Sequence, residues 1–275
     1  MTFEHRKALG DFLRAMRART KPEEVGLPSR TGRRVPGLRR AEVAELTGIS
    51  TDYYIRMESG RAGEVSAHVL GALTAALRLS PPEAAYLRTL ATSPGVPAGT
   101  GAIPLDMDLP LLLDTIQVPA YATNRRLDVL AANLPLRLLI TEPGTALGAP
   151  GNLVAWHFLD RYSRRLIADW PASAATVTAA LRMQVARYPD DTELIGFITR
   201  LCAASPEFTV MWDAPQVPDV WRGRQTARHP EAGDYEFTFV SLSIAGVDDV
   251  MLTTFVPVPG TGSETVMHKL LRQPV

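Results

Sequence analysis

The chain has 275 residues, of which 46% are hydrophobic and 21% charged, and its formal net charge is zero. This length exceeds the usual size of one domain, so we expect two, each with enough apolar residues for a core. No apolar run approaches the ~18 residues of a membrane helix, and the first seven residues lack the apolar core of a signal peptide. The single cysteine excludes an internal disulfide and disfavours a cysteine-rich zinc site. We therefore expect a cytoplasmic protein that contacts no membrane.

The zero net charge hides an uneven distribution. Residues 1–40 contain 11 basic and 4 acidic residues, so this segment carries +7 and the remainder carries −7. A basic arm on an otherwise acidic protein predicts a polyanionic partner that touches one end of the molecule. A solvated basic tail gives the same pattern, so the charge by itself leaves both interpretations open.

The N-terminal part of the chain has the pattern of a series of short helices. Apolar residues recur at helical spacing between residues 9 and 16, which predicts a first helix over residues 3–19. A loop rich in proline, glycine and arginine follows, and the pattern is helical again over residues 38–91. Ser50, Ser66 and Ser80 stand where helix N-caps belong. We therefore expect five short helices and no strand in residues 1–95.

Residues 38–61 carry the most informative pattern, which predicts two short helices joined by a tight turn. Ala44 is small enough for the second helix to cross the first closely. Gly48 permits the left-handed backbone that ends the first helix, and Ser50 caps the second. This spacing predicts a helix-turn-helix.

The second helix of this pair has the features of a recognition helix. Tyr54 and Met57, three residues apart, face inward, which leaves the other face outward at the N-terminal end of a short helix. A recognition helix meets base edges in the major groove at this end. The residues that we expect to contact DNA are Thr51, Asp52, Tyr53 and Arg56 at base edges and Arg39, Arg40 and Arg61 at phosphates. An ordinary helical hairpin, whose outward residues are only solvated, is the alternative.

The pattern changes behind a stretch of prolines, glycines and alanines, which we interpret as a linker at residues 96–104. Alternating apolar and polar residues predict strands at 120–123, 126–131, 225–229, 235–244 and 250–256. Helical spacing predicts helices near 134–140, 152–160, 173–188, 191–203 and 264–272. The sequence thus predicts a two-domain protein, with an all-α domain over residues 1–95 followed by an α/β domain with an antiparallel sheet over residues 105–275.

Both halves of the chain resemble one known family. Residues 38–61 resemble the helix-turn-helix of the XRE (lambda-repressor-like) family, and the wording GLRR at 37–40 with YYIRMESGR at 53–61 is similar to its MmyB-like branch. In the second half, Tyr121 with RLDVLAAN at 126–133 resembles the start of that branch's ligand-binding domain. Further motifs follow in the order that the branch has, among them DW at 169–170 and YPDD at 188–191. The resemblance covers nearly the whole chain.

This resemblance implies a transcriptional regulator that binds specific sequences of double-stranded DNA. Its fold would be a five-helix DNA-binding domain followed by a PAS-like domain whose antiparallel sheet cups a small apolar, fatty-acid-like ligand. The family pattern also implies that Arg17 pairs with Glu58. Because one short recognition helix reads few base pairs, we expect a homodimer on paired half-sites.

The ligand is expected between the sheet and the helices that face it, because both carry more large apolar side chains than one packed layer requires. The residues predicted as the apolar wall are Trp156, Phe158, Phe208, Trp212 and Phe239. The residues predicted as the polar rim are Tyr121, Asn133 and His229, with Arg126 as the partner for an anionic head group. A solid core without a cavity is the alternative.

Two other classes of function fit a helix-turn-helix at the N-terminus. One is a regulatory head fused to a small catalytic domain, but the sequence shows no nucleophile motif, phosphate-binding motif or metal-ligand spacing. We therefore expect no enzyme activity, no cofactor and no metal. The other is a protein-interaction module, such as an anti-sigma-type partner, whose helix-turn-helix serves assembly only. A gel shift with promoter DNA separates these classes.

Overall fold

The computed structural model describes residues 3–28, 35–91, 108–214, 220–244, 247 and 249–272. Its backbone falls into two compact units: the first contains the chain up to residue 97 together with the short segments 185–192 and 214–218, and the second contains the rest. The predicted linker at residues 96–104 lies outside the described residues. The α-helices described in the first unit are α1 (Phe3–Arg19), α2 (Arg40–Thr47), α3 (Thr51–Glu58), α4 (Ala67–Ala76) and α5 (Pro81–Ala91). The all-α fold predicted for this part of the chain is confirmed.

The turns around α2, α3 and α4 are fixed by capping residues. The Ser50 hydroxyl accepts a hydrogen bond from the backbone N–H of Tyr53 at 3.2 Å, and the Ser66 hydroxyl accepts one from Val69 at 3.3 Å. Both serines satisfy a backbone donor that the first turn of a helix leaves unpaired. Gly48 ends α2 with a φ of +67°, in the left-handed region. The two caps and the turn glycine are as the sequence predicted.

All five described helices of the first unit contribute buried apolar side chains. The ring of Phe12 on α1 meets that of Tyr86 on α5 edge to face, with centroids 5.2 Å apart. Helix α1 also approaches the C-terminal end of α3 closely, because a Cβ atom on Gly10 would lie 2.3 Å from the carbonyl oxygen of Glu58. Only glycine allows this crossing. The other large buried side chains include Leu13, Leu38, Tyr54, Met57, Leu73, Leu77, Leu87 and Leu90.

Beyond residue 107 the chain forms an α/β fold. The strands are β1 (Ala120–Thr123), β2 (Val129–Ala132), β3 (Arg222–His229), β4 (Gly233–Ser243) and β5 (Met251–Pro257). They form an antiparallel sheet in the order β2-β1-β5-β4-β3. The helices are α6 (Leu109–Asp114), α7 (Leu134–Ile140), α8 (Leu153–Leu159), α9 (Arg161–Leu166), α10 (Trp170–Arg187), α11 (Thr192–Ala204), α12 (Pro206–Asp213) and α13 (Ser263–Leu271). The predicted α/β fold with an antiparallel sheet is confirmed.

One strand begins later than its alternating pattern predicts. The strand predicted over residues 126–131 starts at Val129, because the preceding residues form a tight turn. The Asn124 side-chain oxygen accepts the backbone N–H groups of Arg126 and Asp128 at 2.9 and 3.0 Å. Leu127 takes a left-handed φ of 62° within this turn. Asparagine side chains stabilise such turns by mimicking the backbone. The predicted helices include a segment near 201–212, which overlaps α12, but no segment corresponds to α6 or α9.

The two faces of the sheet have different partners. Because side chains alternate along a strand, Tyr121, Thr253 and Phe239 share one face. Ala120 and Ala122 on the other face pack with residues of α6 in a separate apolar cluster. The first face is covered by α7 to α10 and, along β4, by α13. Within the described residues, no helix is both long and apolar enough to cross a membrane.

Candidate DNA interface and ligand cavity

Helix α3 has one buried face and one solvent face. Tyr54 and Met57 are 0% and 1% exposed, so they anchor the helix in the core of the first unit. The exposed residues on the opposite face are Thr51, Asp52, Ile55 and Arg56. The predicted division of the helix into an inward and an outward face is therefore what the structure has.

The exposed face of α3 is extended by aromatic and basic side chains. The guanidinium carbon of Arg56 lies 5.6 Å from the centroid of the half-buried Tyr53 ring, within the range of a cation–π contact. Arg61, which follows the helix, and Arg39, which precedes α2, are both exposed. These side chains are accessible to a large polyanion.

A buried carboxylate holds α3 against its neighbours. Glu58 has a side chain only 2% exposed, and it accepts hydrogen bonds from Arg17 Nε at 2.5 Å and from Arg40 Nε at 2.6 Å. Burial by itself raises the pKa of Glu58, but the hydrogen bonds from Arg17 and Arg40 outweigh it and hold the pKa below its ordinary value. The Arg17–Glu58 pair implied by the family pattern is confirmed. Arg40, expected at a phosphate, is half exposed and also belongs to this network.

The second unit contains a cavity of about 130 Å³ between the sheet and helices α7 to α10. Its wall is mainly apolar, and the large apolar residues that line it include Leu136, Leu139, Leu153, Trp156, Val177, Met183, Trp221, Phe237, Phe239 and Phe255. The sheet and α8 line this space as predicted, whereas α12, which carries the predicted wall residues Phe208 and Trp212, does not line it. Cavities that bind small molecules have this composition, with a few polar groups that fix orientation.

Three hydroxyl groups form a row across the sheet wall of this cavity. Tyr121, Thr253 and Ser241 are neighbours on β1, β5 and β4, because Thr253 pairs with Tyr121 on one side and with Ser241 on the other. The Thr253 hydroxyl lies 2.9 Å from the Ser241 hydroxyl, and Thr253 stands directly opposite Tyr121 in the pairing of β5 with β1. Burial raises the pKa of Tyr121 to about 12, so its phenol stays protonated.

A second polar group in the cavity is centred on His157. Its Nδ1 lies 2.9 Å from the Leu153 carbonyl oxygen, and its Nε2 lies 2.9 Å from the Ser173 hydroxyl. The Ser173 oxygen is also 3.3 Å from Gln225 Oε1. Burial lowers the pKa of His157 to about 4, so the imidazole is neutral near pH 7. A carbonyl only accepts, so Nδ1 carries the proton and Ser173 donates to Nε2.

Of the nine residues predicted to bind a ligand, three line the cavity: Tyr121, Trp156 and Phe239. Three other predicted aromatic residues pack against one another instead. Phe158 and Phe208 meet edge to face with centroids 5.1 Å apart, and Trp212 stacks on Phe208 at 5.6 Å. These three rings pack against one another between α8 and α12, so they form part of the core and do not line the cavity.

The remaining three predicted residues have structural partners away from the cavity. Asn133 is 1% exposed, and its side-chain oxygen accepts from Ala120 N at 3.0 Å and Leu136 N at 3.1 Å, so it caps α7 and fastens β1. The His229 Nδ1 atom accepts the backbone N–H of Ala232 at 3.1 Å and so stabilises the turn from β3 to β4.

Arg126, predicted as the partner of an anionic head group, is held by two carboxylates. Its Nε donates to Asp128 at 2.9 Å, and Nη1 is paired with Glu193. It does not line the cavity. Asp128 is only two positions from Arg126 in the sequence, whereas Glu193 is 67 positions away and no local pattern indicates that it pairs with Arg126.

Two of the polar cavity residues that were missed, Thr253 and Ser241, had a usable signal in the sequence. Thr253 and Ser241 lie two positions from Phe255 and Phe239, so the alternation of the strands places them on the same face as these rings. His157 and Ser173 carry no comparable signal, since only the packing of α8 on α10 brings them together. Within the described part of the chain, no group of histidine, cysteine and carboxylate side chains could hold a metal ion.

Comparison with known proteins identifies the family to which the chain belongs. A family model described as a helix-turn-helix domain matches residues 8–87. A second, described as the MmyB-like transcription regulator ligand-binding domain, matches residues 105–271, which is more than half of the chain. A search among curated proteins gave no match. The protein therefore belongs to the MmyB-like transcription regulators, DNA-binding proteins in which a helix-turn-helix domain precedes a ligand-binding domain.

Proposed function

We propose that the protein recognises a specific operator sequence through α3 and that a small apolar ligand in the cavity changes its affinity for that operator. The observation that carries the DNA half of this proposal is the division of α3, whose buried Tyr54 and Met57 leave the opposite face open to solvent. The ligand half is supported by the mainly apolar cavity between the sheet and helices α7 to α10.

The exposed residues divide by the part of DNA that they would contact. Thr51, Asp52 and Tyr53 lie in the first turn of α3, where a recognition helix reads base edges, and Arg56 lies in its last turn. Arg39 and Arg61 flank the helix pair and are exposed, which suits contacts to phosphates. Arg40 would reach a phosphate only in addition to its hydrogen bond with Glu58.

The apolar wall of the cavity fits the hydrocarbon part of a fatty-acid-like molecule. A ligand shifts DNA binding only by the difference between its affinities for the DNA-binding and the non-binding arrangements of the protein. The proposal therefore requires that the operator-bound protein and the free protein bind the ligand with different affinities. By linkage, DNA must then change ligand affinity by the same factor.

We also propose a homodimer on paired half-sites. Helix α3 has eight residues, so it spans only a few base pairs. Dimers of helix-turn-helix proteins place their recognition helices about one DNA turn apart, ~34 Å, and so double the sequence that is read.

The decisive experiment is a titration of the full chain against labelled DNA from the promoter beside its gene and against a scrambled duplex of equal length. Specific affinity typically exceeds non-specific affinity by roughly 10³-fold or more. Equal affinity for both duplexes would contradict sequence-specific recognition. Absence of any DNA binding would favour the protein-interaction module instead. A footprint of two protected half-sites, with a dimer in sedimentation, tests the assembly.

A further inference from the structure

We infer that the ligand in this cavity has an uncharged, hydrogen-bonding head group. The ligand is then a neutral amphiphile, such as an alcohol or an amide with an apolar body, and not a carboxylate. This inference rests on the proposed function, because it names the chemical class of ligand for the same cavity.

The charge of the cavity wall is the first argument. Among the described residues that line the cavity, none is an arginine, a lysine, an aspartate or a glutamate. An ionised carboxylate brought into such a site would lose its hydration without gaining a cationic partner, which is strongly unfavourable. Arg126 does not supply that partner, because it does not line the cavity and is held by Asp128 and Glu193.

His157 does not supply a positive charge either. Its ring is buried, and the pKa of about 4 keeps it neutral at any pH at which the ligand would be tested. Its two nitrogens are occupied by the Leu153 carbonyl and the Ser173 hydroxyl. The groups that remain for a ligand are therefore neutral hydrogen-bonding groups.

The row of hydroxyls on the sheet provides a donor. Tyr121, Thr253 and Ser241 have three hydroxyl hydrogens, and the hydrogen bond between Thr253 and Ser241 uses one of them. Even if a second bond within the row uses another, at least one hydrogen is left to donate to an acceptor on the ligand. A ligand oxygen of the carbonyl or hydroxyl type fits this position.

The polar group around His157 provides an acceptor. Ser173 has one hydroxyl hydrogen, and its shorter contact, 2.9 Å to His157 Nε2, uses it. The 3.3 Å contact to Gln225 therefore leaves the amide oxygen of this residue able to accept from a ligand. An alcohol or a primary amide can donate here, whereas an ionised carboxylate has no hydrogen to give.

The volume of the cavity determines the size of the molecules that can be used to test it. At about 130 Å³ the cavity is close in size to the engineered cavity of about 150 Å³ that binds benzene. A body of about six to eight carbons is therefore suitable. Octan-1-ol, octanamide and octanoate have the same chain and differ in the head group, so they isolate the effect of charge.

The test is calorimetric titration of the full chain with these three probes at about pH 8, where an ordinary carboxylic acid is ionised. We expect octan-1-ol and octanamide to bind at least about tenfold more tightly than octanoate. If only the protonated acid enters, the apparent affinity for octanoate should rise about tenfold when the pH is lowered by one unit. The affinities of the two neutral probes should stay constant over that unit.

Two variants of one strand locate the head group. Thr253→Val removes the central hydroxyl of the row with little change in volume, and Ser241→Ala removes a second one. We expect each to weaken the binding of the neutral probes about fivefold, as the loss of one hydrogen bond does. Thr254→Val is the matched control, because the side chain of Thr254 points to the opposite face of the sheet. It should bind all three probes as the unchanged protein does.

The outcomes separate the inference from the function on which it rests. Octanoate binding at pH 8 as tightly as the neutral probes would overturn the neutral head group and leave an apolar-ligand regulator standing. Tight binding of the neutral probes that neither Thr253→Val nor Ser241→Ala weakens would overturn the assigned role of the hydroxyl row. No heat and no change in melting temperature with any probe would contradict the proposed ligand function and this inference together.

Discussion

Arg17 on α1 and Glu58 at the end of α3 are 41 positions apart in the chain, and their side chains form a 2.5 Å hydrogen bond between opposite charges. The same guanidinium donates through Nη1 to the Leu38 carbonyl at 2.9 Å. One arginine thus joins α1, the segment before α2 and the recognition helix. The orientation of α3, and with it the surface offered to DNA, depends on this contact.

Replacement of Arg17 should destabilise the first unit. Removal of one partner of a buried ion pair costs about 3–5 kcal/mol, but Arg40 still pairs with Glu58, so we expect about 2–3 kcal/mol for Arg17→Ala. By the usual scaling, this lowers the melting temperature by roughly 10 °C. Lys7→Ala, at an exposed position of α1, is the control and should melt within about 2 °C of the unchanged protein. Identical melting curves for Arg17→Ala and Lys7→Ala would mean that the pair contributes nothing.

Acid should remove the same contribution. The pKa of Glu58 is lower in the folded protein than its ordinary value of 4.5, so its stabilising effect is complete above about pH 5 and is lost as the pH falls through the folded value. Glu58→Gln should therefore lower the free energy of unfolding by about 2–3 kcal/mol at about pH 7 and by much less near pH 3. Urea unfolding at both pH values measures this. A deficit that stays the same at both would assign the effect to packing rather than charge.

Alanine substitutions at two glycines on different helices should change the free energy of unfolding in opposite directions. A Cβ at Gly10 would meet the Glu58 carbonyl oxygen at 2.3 Å, whereas a Cβ at Gly71 in α4 meets nothing within 4 Å. Gly10→Ala must separate α1 from α3 and should cost about 1–3 kcal/mol or more. Gly71→Ala should stabilise the protein by about 0.5–1 kcal/mol through helix propensity. Thermal unfolding decides, and a stabilising Gly10→Ala would show that the helices do not cross so closely.

The helix-turn-helix was predictable from sequence because its determinants are local. Gly48 ends α2 and Ser50 caps α3 through their own conformations, and Tyr54 and Met57 face inward by helical period alone. The ligand cavity was only partly predictable because its membership is decided by packing. Phe208 was an equally good candidate as Trp156 on composition, but its contacts with neighbouring rings place it in the core.

Charge partners show the same limit. The Arg17–Glu58 pair was expected only because a family resemblance implied it; spacing by itself does not link two residues 41 positions apart. Arg126 was expected to bind the ligand, but the structure pairs it with Glu193. No local feature of the sequence indicates that Glu193 lies nearby. The strand alternation that predicted Phe239 in the cavity also places Ser241 on the same inward face. A polar residue at an inward position indicates a polar partner or a cavity, so Ser241 could have been predicted as well.

Arg56 on α3 and Arg61 just after this helix should affect DNA binding in different ways. Arg56→Ala should cost about 1–3 kcal/mol on the operator and little on a scrambled duplex, if Arg56 reads a base. Arg61→Ala should weaken binding to both duplexes alike and reduce the salt slope by about one, as loss of a phosphate contact does. Arg200→Ala, at an exposed position of α11, is the control. Equal losses on both duplexes for both variants would refute the assignment of Arg56 to a base.

Gly223 should matter for ligand binding more than for stability. It lies opposite Phe239 in the pairing of β3 with β4, and a Cβ on it would meet Phe239 Cε1 at 2.5 Å. The contact is with the end of a side chain, so Gly223→Ala can be accommodated by a shift of the ring, which lines the cavity. Titration with octan-1-ol should show an affinity lower by about tenfold, with a melting temperature changed by only about 2–4 °C.

A second substitution tests the cause of that loss. Leucine in place of Phe239 removes the ring atoms that the added methyl group meets, so the double variant Gly223→Ala with Phe239→Leu should regain part of the lost affinity. The single variant Phe239→Leu provides the reference for the enlarged cavity, so that the interaction between the two positions can be calculated. Losses that simply add would show that Gly223 and Phe239 act independently. A Gly223→Ala variant that binds octan-1-ol as tightly as the unchanged protein would mean that the ring has room to move without narrowing the ligand site.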